Sequence, residues 1–261
     1  MSGVMGFDAE TSRQIEAAYT SADVVGQRRA VLDILRLSAG ERVLDVGAGP
    51  GFLTAEMAAA VGSAGGVVGL EPSDAMRALA ERRDLAAGSA PVRQVPGDAT
   101  SLPFDDASFD VLTATQVYEY VADMPTALAE ARRVLRSGGR LFILDTDWDS
   151  VVWHSSDPPR MRRILTAWDQ HLADPYLPRH LPRLLRDAGF TLRETRALPL
   201  LTVGWDPTAF AAGVIGFIAN FVPGRDGISA EEVAAWADDL RGMGPDFFFS
   251  VNRYLFLADA P

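Results

Sequence analysis

The chain has no cysteine among its 261 residues. Disulfides, cysteine-ligated zinc and a cysteine nucleophile are therefore excluded, and the composition fits a reducing compartment. Histidine is nearly as scarce: His154, His171 and His180 fall in one stretch. No block of Lys or Arg occurs, and the formal net charge of -11 gives a field that repels phosphate backbones, so nucleic acid is a poor partner. No apolar run reaches the ~18 residues of a membrane span. The nearest candidate, around Phe210 to Val222, is short and broken by glycine. The segment from Met1 through Asp8 and Glu10 has neither the basic nor the apolar part of a secretory leader, so a cytoplasmic location is expected.

What is present supports a large core. Hydrophobic residues make up 48% and charged residues 23%, which favours one α/β unit over 1–261 rather than disorder. Residues 8–38 carry apolar positions at helical spacing (Ile15, Tyr19, Val24, Val31, Ile34, Leu35) and precede the core as a helical cover. From Glu41 onward β-branched runs alternate with helical segments, the pattern of a parallel sheet. Strands are expected at 42–46, 66–71, 91–96, 109–115 and 139–146, with helices from near Gly51, Ser73 and Met124. Asp123 caps the last of these, Pro125 sits in its first turn, and Ser137, Gly138 and Gly139 end it. The core is thus about 40–149. After Asp149 the rhythm changes, giving helical insertions at about 150–185 and 205–246, and strands at about 191–202 and 247–258 close a seven-stranded sheet.

Val43 to Gly51 is a hydrophobic strand running into a glycine-rich turn that opens a helix. Glycine lets the backbone turn sharply and lets a ligand approach closer than any Cβ permits. Open α/β sheets bind ligands at the carboxyl ends of their strands. The glycines run G-x-G-x-G rather than G-x-G-x-x-G, which disfavours a nicotinamide dinucleotide. Asp45 reads as a hydrogen-bonding support for the turn. Glu71, 24 residues beyond Gly47 and followed by Pro72, can accept from both hydroxyls of a ribose. Asp98 can accept from an adenine amino group while Ala99 N–H donates to the ring; the competing reading of Asp98 is a cap of its own loop.

Together these residues resemble the class I S-adenosylmethionine-dependent methyltransferases, and more closely the ubiquinone and menaquinone methyltransferase group. The resemblance is strong over about 40–146. It implies a Rossmann-like, doubly wound, mostly parallel sheet with a C-terminal antiparallel strand and helical lid insertions, and S-adenosyl-L-methionine as cofactor. It also implies roles: Gly47, Ala48 and Gly49 around the methionine moiety, Glu71 and Pro72 at the ribose, Asp98 and Ala99 at the adenine, Thr115 and Gln116 beneath the sulfonium. By a looser match Tyr19 and Arg28 close over the cofactor; helix packing and surface charge compete for both.

The acceptor is expected to be a small molecule, in secondary metabolism or quinone-type biosynthesis, and a homodimer is compatible with this. Of the three histidines His154 is the candidate general base, because it follows the fifth strand near the cofactor edge; an exposed or packing histidine is the alternative. Asp145, Asp147 and Asp149 alternate as cation ligands would, but strand-end capping explains them and no metal is assigned. Tyr118, Trp148, Trp153, Trp168, Phe217 and Phe221 are candidates for the acceptor wall or for ordinary core. The alternative function is a cyclase of the same fold that binds the cofactor without methylating.

Overall fold

The computed structural model describes residues 15–16 and 18–261. Residues 8–14 and 17 of the expected N-terminal cover, and the leader reading of Met1, Asp8 and Glu10, lie outside the described residues. The element order is α1 (Ala22–Leu35), β1 (Arg42–Val46), α2 (Phe52–Val61), β2 (Gly66–Leu70), α3 (Asp74–Ala80), β3 (Val92–Val95), β4 (Phe109–Thr115), α4 (Met124–Val134), β5 (Leu135–Trp153), α5 (Pro158–Trp168), α6 (Leu177–Asp187), β6 (Thr191–Val203), α7 (Phe210–Phe221), α8 (Ala230–Gly242) and β7 (Phe248–Asp259). One-turn 3-10 helices occur at Tyr118–Tyr120, Asp169–His171 and Gly244–Asp246.

Several of the helices begin where a side chain satisfies one of their first N–H groups. Ser21, Ser73, Asp123 and Asp157 each accept from the backbone N–H three residues on, at the starts of α1, α3, α4 and α5. In α1 the buried side chains Val24, Arg28, Val31, Ile34 and Leu35 recur at helical spacing and fix the face turned inward.

The seven strands lie in the order β3-β2-β1-β4-β5-β7-β6. All pairs from β3 across to β5 are parallel, and β7 runs antiparallel to both β5 and β6. The central strands are buried on both faces, which is why β1 and β4 read as near-continuous apolar runs. β1 lies between β2 and β4, so the connections leaving it and arriving at β4 diverge to opposite sides; the crevice at this switch point is where such sheets bind ligands.

Three apolar clusters hold the molecule. Leu44, Leu112, Leu128 and Leu141 belong to one, Val43, Met57, Val111 and Phe142 to another, so alternate side chains of β1, β4 and β5 feed opposite faces. The third is built by the cover: Ile164, Ile218, Trp236 and Phe249 meet there with Val24.

The strand boundaries fall within a residue of expectation except at the two ends of β5. Pairing starts at Leu135, opposite Phe109, so Ser137 to Gly139 form an irregularity inside the strand rather than the stop of α4. Gly138 has φ +71°, and a Cβ at Gly139 would lie 2.8 Å from the Arg136 carbonyl oxygen. At its other end β5 runs on to Trp153, because Val152 and Trp153 resume pairing with Ser250 and Phe249 beyond a bulge. The first insertion therefore begins as strand. No helix among the described residues is long and apolar enough to cross a membrane.

Candidate functional site

The turn after β1 folds back on β2: Gly47 N and Ala48 N both donate to Leu70 O, at 2.7 and 3.1 Å. Gly47 has φ +67°, and a Cβ there would sit 2.3 Å from Val117 Cγ2. Gly49, with φ +52°, has no neighbour within 3.4 Å of where its Cβ would be. The first glycine is thus demanded by packing, whereas the second leaves open space. Beneath the turn Asp45 accepts from Thr54 Oγ1 at 2.6 Å and from Thr113 Oγ1 at 2.8 Å, tying β1 to α2 and β4. Burial pushes its carboxyl up to about 6 against those two hydrogen bonds. This is the supporting role the sequence suggests.

Glu71 directly follows β2, with Oε2 accepting Gly49 N–H at 3.0 Å and Oε1 accepting Ser73 N–H at 2.9 Å. Each oxygen keeps a lone pair for a further donor. Asp98 caps its own loop through Oδ1, which accepts from Thr100 N and Oγ1 at 2.7 and 2.5 Å, and it also faces the site. The loop cap occupies Oδ1 alone, so Oδ2 is not committed to it.

These pieces line a single cavity of about 890 Å³. Tyr19, Gly47, Gly49, Glu71, Pro72, Asp98, Ala99 and Gln116 all contribute. Ala48, Thr115 and Arg28 line a smaller adjoining space together with Tyr19, Gln116 and Arg253. Arg28 is buried: Nη1 donates to Tyr19 O at 2.7 Å and Nε pairs with Glu56 at 3.0 Å, so it acts by fixing Tyr19. Gln116 holds a left-handed backbone, φ +59°, with its N–H on Leu144 O at 2.7 Å. A non-glycine residue there costs energy and is commonest where function demands it.

The far half of the cavity is aromatic. Trp148, Trp168 and Phe217 take the wall alternative, joined by Tyr120, His171 and Phe210. Tyr118 is core instead, Trp153 packs on Trp236, Phe247 and Phe249, and Phe221 stands behind Trp168. Trp168 stacks on His171 with centroids 3.6 Å apart. The His171 Nδ1 contacts Trp168 O, which places the ring proton there and leaves Nε2 an acceptor with no hydrogen-bond partner among the described residues. Burial pushes its pKa down to about 4, so it is neutral at ordinary pH.

His154 is not brought into this cavity. The extra length of β5 carries it past the cavity, where its N–H donates to Phe248 O and its Nδ1 lies 3.1 Å from Asp246 O. Asp147 and Asp149 share Arg179, at 2.8 Å each, while Asp145 turns inward and accepts Val117 N–H. No group of three potential metal ligands gathers among the described residues.

Among the cavity residues that escaped the sequence reading are Glu119 and Arg253. Both left a signal. Phe249, Val251, Arg253 and Leu255 form the buried alternation of β7, so Arg253 is a charge at an inward position. Glu119 is an acid in the apolar run just after Gln116.

Residues 44–143 match the methyltransferase domain family. The chain is 36% identical over 243 residues to a 37.1 kDa protein in a Streptomyces fradiae transposon, covering 89% of this chain and 66% of that one. It is 30% identical over 217 residues to a demethylmenaquinone methyltransferase of Mycobacterium bovis, covering 76% and 82%. The match spans about half the length of other quinone methyltransferase relatives. Among solved structures, a Bacillus halodurans protein superposes with TM-score 0.64 at 19% identity, covering 90% of this chain and 99% of that one. The [4+2]-cyclase SpnF gives 0.59 at 24%, covering 91% and 81%. At these identities the likeness is one of fold.

Proposed function

Because the chain belongs to the class I S-adenosylmethionine-dependent methyltransferases, in the ubiquinone and menaquinone group, we propose that it moves a methyl group from S-adenosyl-L-methionine to a small, largely apolar acceptor. The observation that carries the reading is the continuity of one cavity from the glycine turn, Glu71 and Asp98 to the aromatic half. Its volume lies within the ~300–1,000 Å³ range of small-molecule pockets.

The residues present fit the cofactor. The absent side chain of Gly49 leaves room against the turn, Glu71 offers two partly free carboxylate oxygens for a ribose, and the second oxygen of Asp98 is available to an amino group. When bound, the cofactor supplies a sulfonium-activated methyl group, whose carbon bonds to the acceptor's electron pair as the carbon–sulfur bond breaks with its pair left on sulfur. The protein's contribution is alignment and exclusion of water, for which Gln116, held by Leu144 O and Thr146, and the ring wall of Trp148 and Trp168 are placed.

The test is calorimetric titration with S-adenosyl-L-methionine, followed by incubation with labelled cofactor and a panel of phenolic, quinol and amine acceptors. Micromolar binding and transfer of label are expected. Absence of cofactor binding by the folded protein would sink the reading. A cyclase would instead return a product of unchanged mass and no label.

A further inference from the structure

β6 is a free edge of the sheet and pairs only with β7. From Glu194 to Val203 that pairing runs without a register shift, and just beyond it Gly204 N donates to Phe247 O at 2.8 Å. Successive residues of a strand turn their N–H and C=O groups to opposite sides. The even-numbered residues of this run therefore face β7, and the odd-numbered Ala197, Pro199, Leu201 and Val203 turn theirs off the sheet. Pro199, which has no N–H, costs β6 no bond to β7 in that position.

The two halves of this edge are guarded unequally. The first carries Arg193, Glu194 and Arg196 and an irregularity between Leu192 and Glu194, features that keep an edge from pairing with another chain. The second, Ala197 to Val203, carries no charge, and Pro199 is its one guard. Leu201 and Val203 are 54% and 68% exposed. Val203 lies opposite Phe248, Leu201 opposite Ser250, and Ser250 opposite Val152, so the exposed Phe248 and Val152 share their sheet face. Four of the six exposed large apolar side chains among the described residues thus form one patch. The opposite face, with Leu200, Phe249 and Val251, is buried under the cover.

We propose that this edge receives β6 of a second copy of the chain, antiparallel, across a two-fold axis at Leu201. In that register the stretch is complementary to itself. Leu201 meets its own copy and exchanges both N–H···O bonds with it, while each Val203 meets a Pro199 and donates to its carbonyl oxygen. The only donors missing are the two that proline lacks. An axis at Pro199 would instead lose both bonds of its central pair. Pro199, Leu201 and Val203 of the two copies make one apolar row, continued on each side by Phe248 and Val152.

Charge selects the same arrangement. Arg196 and Asp206 are the first charges before and after the uncharged stretch, and both are exposed. Antiparallel copies bring these opposite signs together at each end, whereas parallel copies would set like against like. So few residues a side, against the ~20–30 of a standard interface, make a reversible dimer. None of them lines the cavity, so each copy keeps its own site open.

The absence of cysteine makes a cross-linking test clean. Full-length Leu201→Cys and Thr195→Cys are oxidised side by side, and the wild type is followed by sedimentation velocity over a range of concentrations. In the proposed pairing the two Leu201 Cα atoms are ~5.5 Å apart, within reach of a disulfide, and the two Thr195 Cα atoms ~40 Å apart. Leu201→Cys is expected to form a covalent dimer at least tenfold faster than Thr195→Cys, and the wild type to pass from monomer to dimer as its concentration rises. Val203→Asp, at an exposed side chain, is expected to weaken the dimer at least tenfold with an unchanged circular dichroism spectrum. Should that variant fail to fold, the cysteine pair decides alone. A wild type that is monomeric throughout, equal cross-linking of the two cysteine variants, or a dimer that a folded Val203→Asp leaves intact overturns the inference.

Discussion

The carboxylate of Glu71 holds the N–H of Gly49 at 3.0 Å, so one side chain shapes the glycine turn and at the same time faces the cavity. Its pKa is raised, chiefly by burial, with Ser73 N–H, Gly49 N–H and Arg77 acting the other way. A buried acceptor of this kind is costly to remove once a ligand's hydroxyls depend on it.

Glu71→Ala is expected to weaken S-adenosyl-L-methionine binding by roughly 1.5–3 kcal/mol, the range for hydrogen bonds to a charged group. Titration calorimetry measures this directly. Unchanged affinity would remove Glu71 from the ribose role, even if the variant proved less stable.

Gly47 and Gly49 should part company on substitution. At Gly47 a methyl group would strike Val117 at 2.3 Å in a left-handed backbone, so Gly47→Ala is expected to destabilise the fold by ~1–3 kcal/mol. At Gly49 only the backbone strain applies, about 1 kcal/mol, and the new methyl group enters space a ligand would use. Gly49→Ala should therefore melt close to wild type and bind cofactor at least tenfold more weakly. Equal loss of stability in both variants would contradict the geometry.

The strand positions and the glycine turn were legible in the sequence because they rest on local signals: β-branched runs, Ser and Asp caps, and a G-x-G-x-G run. β5 was not, because its start lies in a Ser-Gly-Gly run that reads as a helix stop, and its end is set by pairing with β7, more than ninety residues away in sequence. His154 owed its candidacy to that boundary alone. Glu119 and Arg253 line one cavity only because the turn after β4 and the strand β7 both border it, and no spacing rule encodes that.

His154→Ala is consequently expected to leave turnover within about twofold of wild type, since the ring's polar contact is with the Asp246 carbonyl and His154 does not line the cavity. Steady-state rates with any acceptor that proves active check this. A drop of two orders of magnitude would return His154 to the mechanism.

Asp45 predicts a pH dependence of stability. Its folded pKa of about 6 lies above its ordinary value of 3.8, so the folded form binds the extra proton between the two. Its contribution is fully present below 3.8 and is lost as pH rises through 6. Asp45→Asn removes this term, so its stability relative to wild type should improve by roughly 2–3 kcal/mol on going from the acid to the alkaline side of that window. Denaturant melts at both ends decide the matter; a constant difference would show that Asp45 is not desolvated as described.

The cover is the last case. Met161, Ile164 and Trp168 of α5, Val214 and Ile218 of α7, and Val233, Trp236 and Leu240 of α8 share one apolar cluster, with Trp236 fully buried. Its Nε1 lies 3.2 Å from Met161 Sδ, linking α8 to α5. Segments packed this way move together or not at all, which argues against a flap that opens at α5 alone. Limited proteolysis should accordingly find 153–163 resistant with or without S-adenosylhomocysteine. Trp236→Ala removes the central ring and is expected to cost ~3–5 kcal/mol. Because Glu71, Asp98 and the glycine turn are held by the two sheet-face clusters instead, the damage should fall on the aromatic half. The variant, assayed below its melting temperature, is expected to lose acceptor binding at least tenfold while S-adenosylhomocysteine affinity changes by less than about threefold. Equal losses of both ligands would mean that the cover and the cofactor turn form one cooperative unit, and the division of the cavity into two independently supported halves would be wrong.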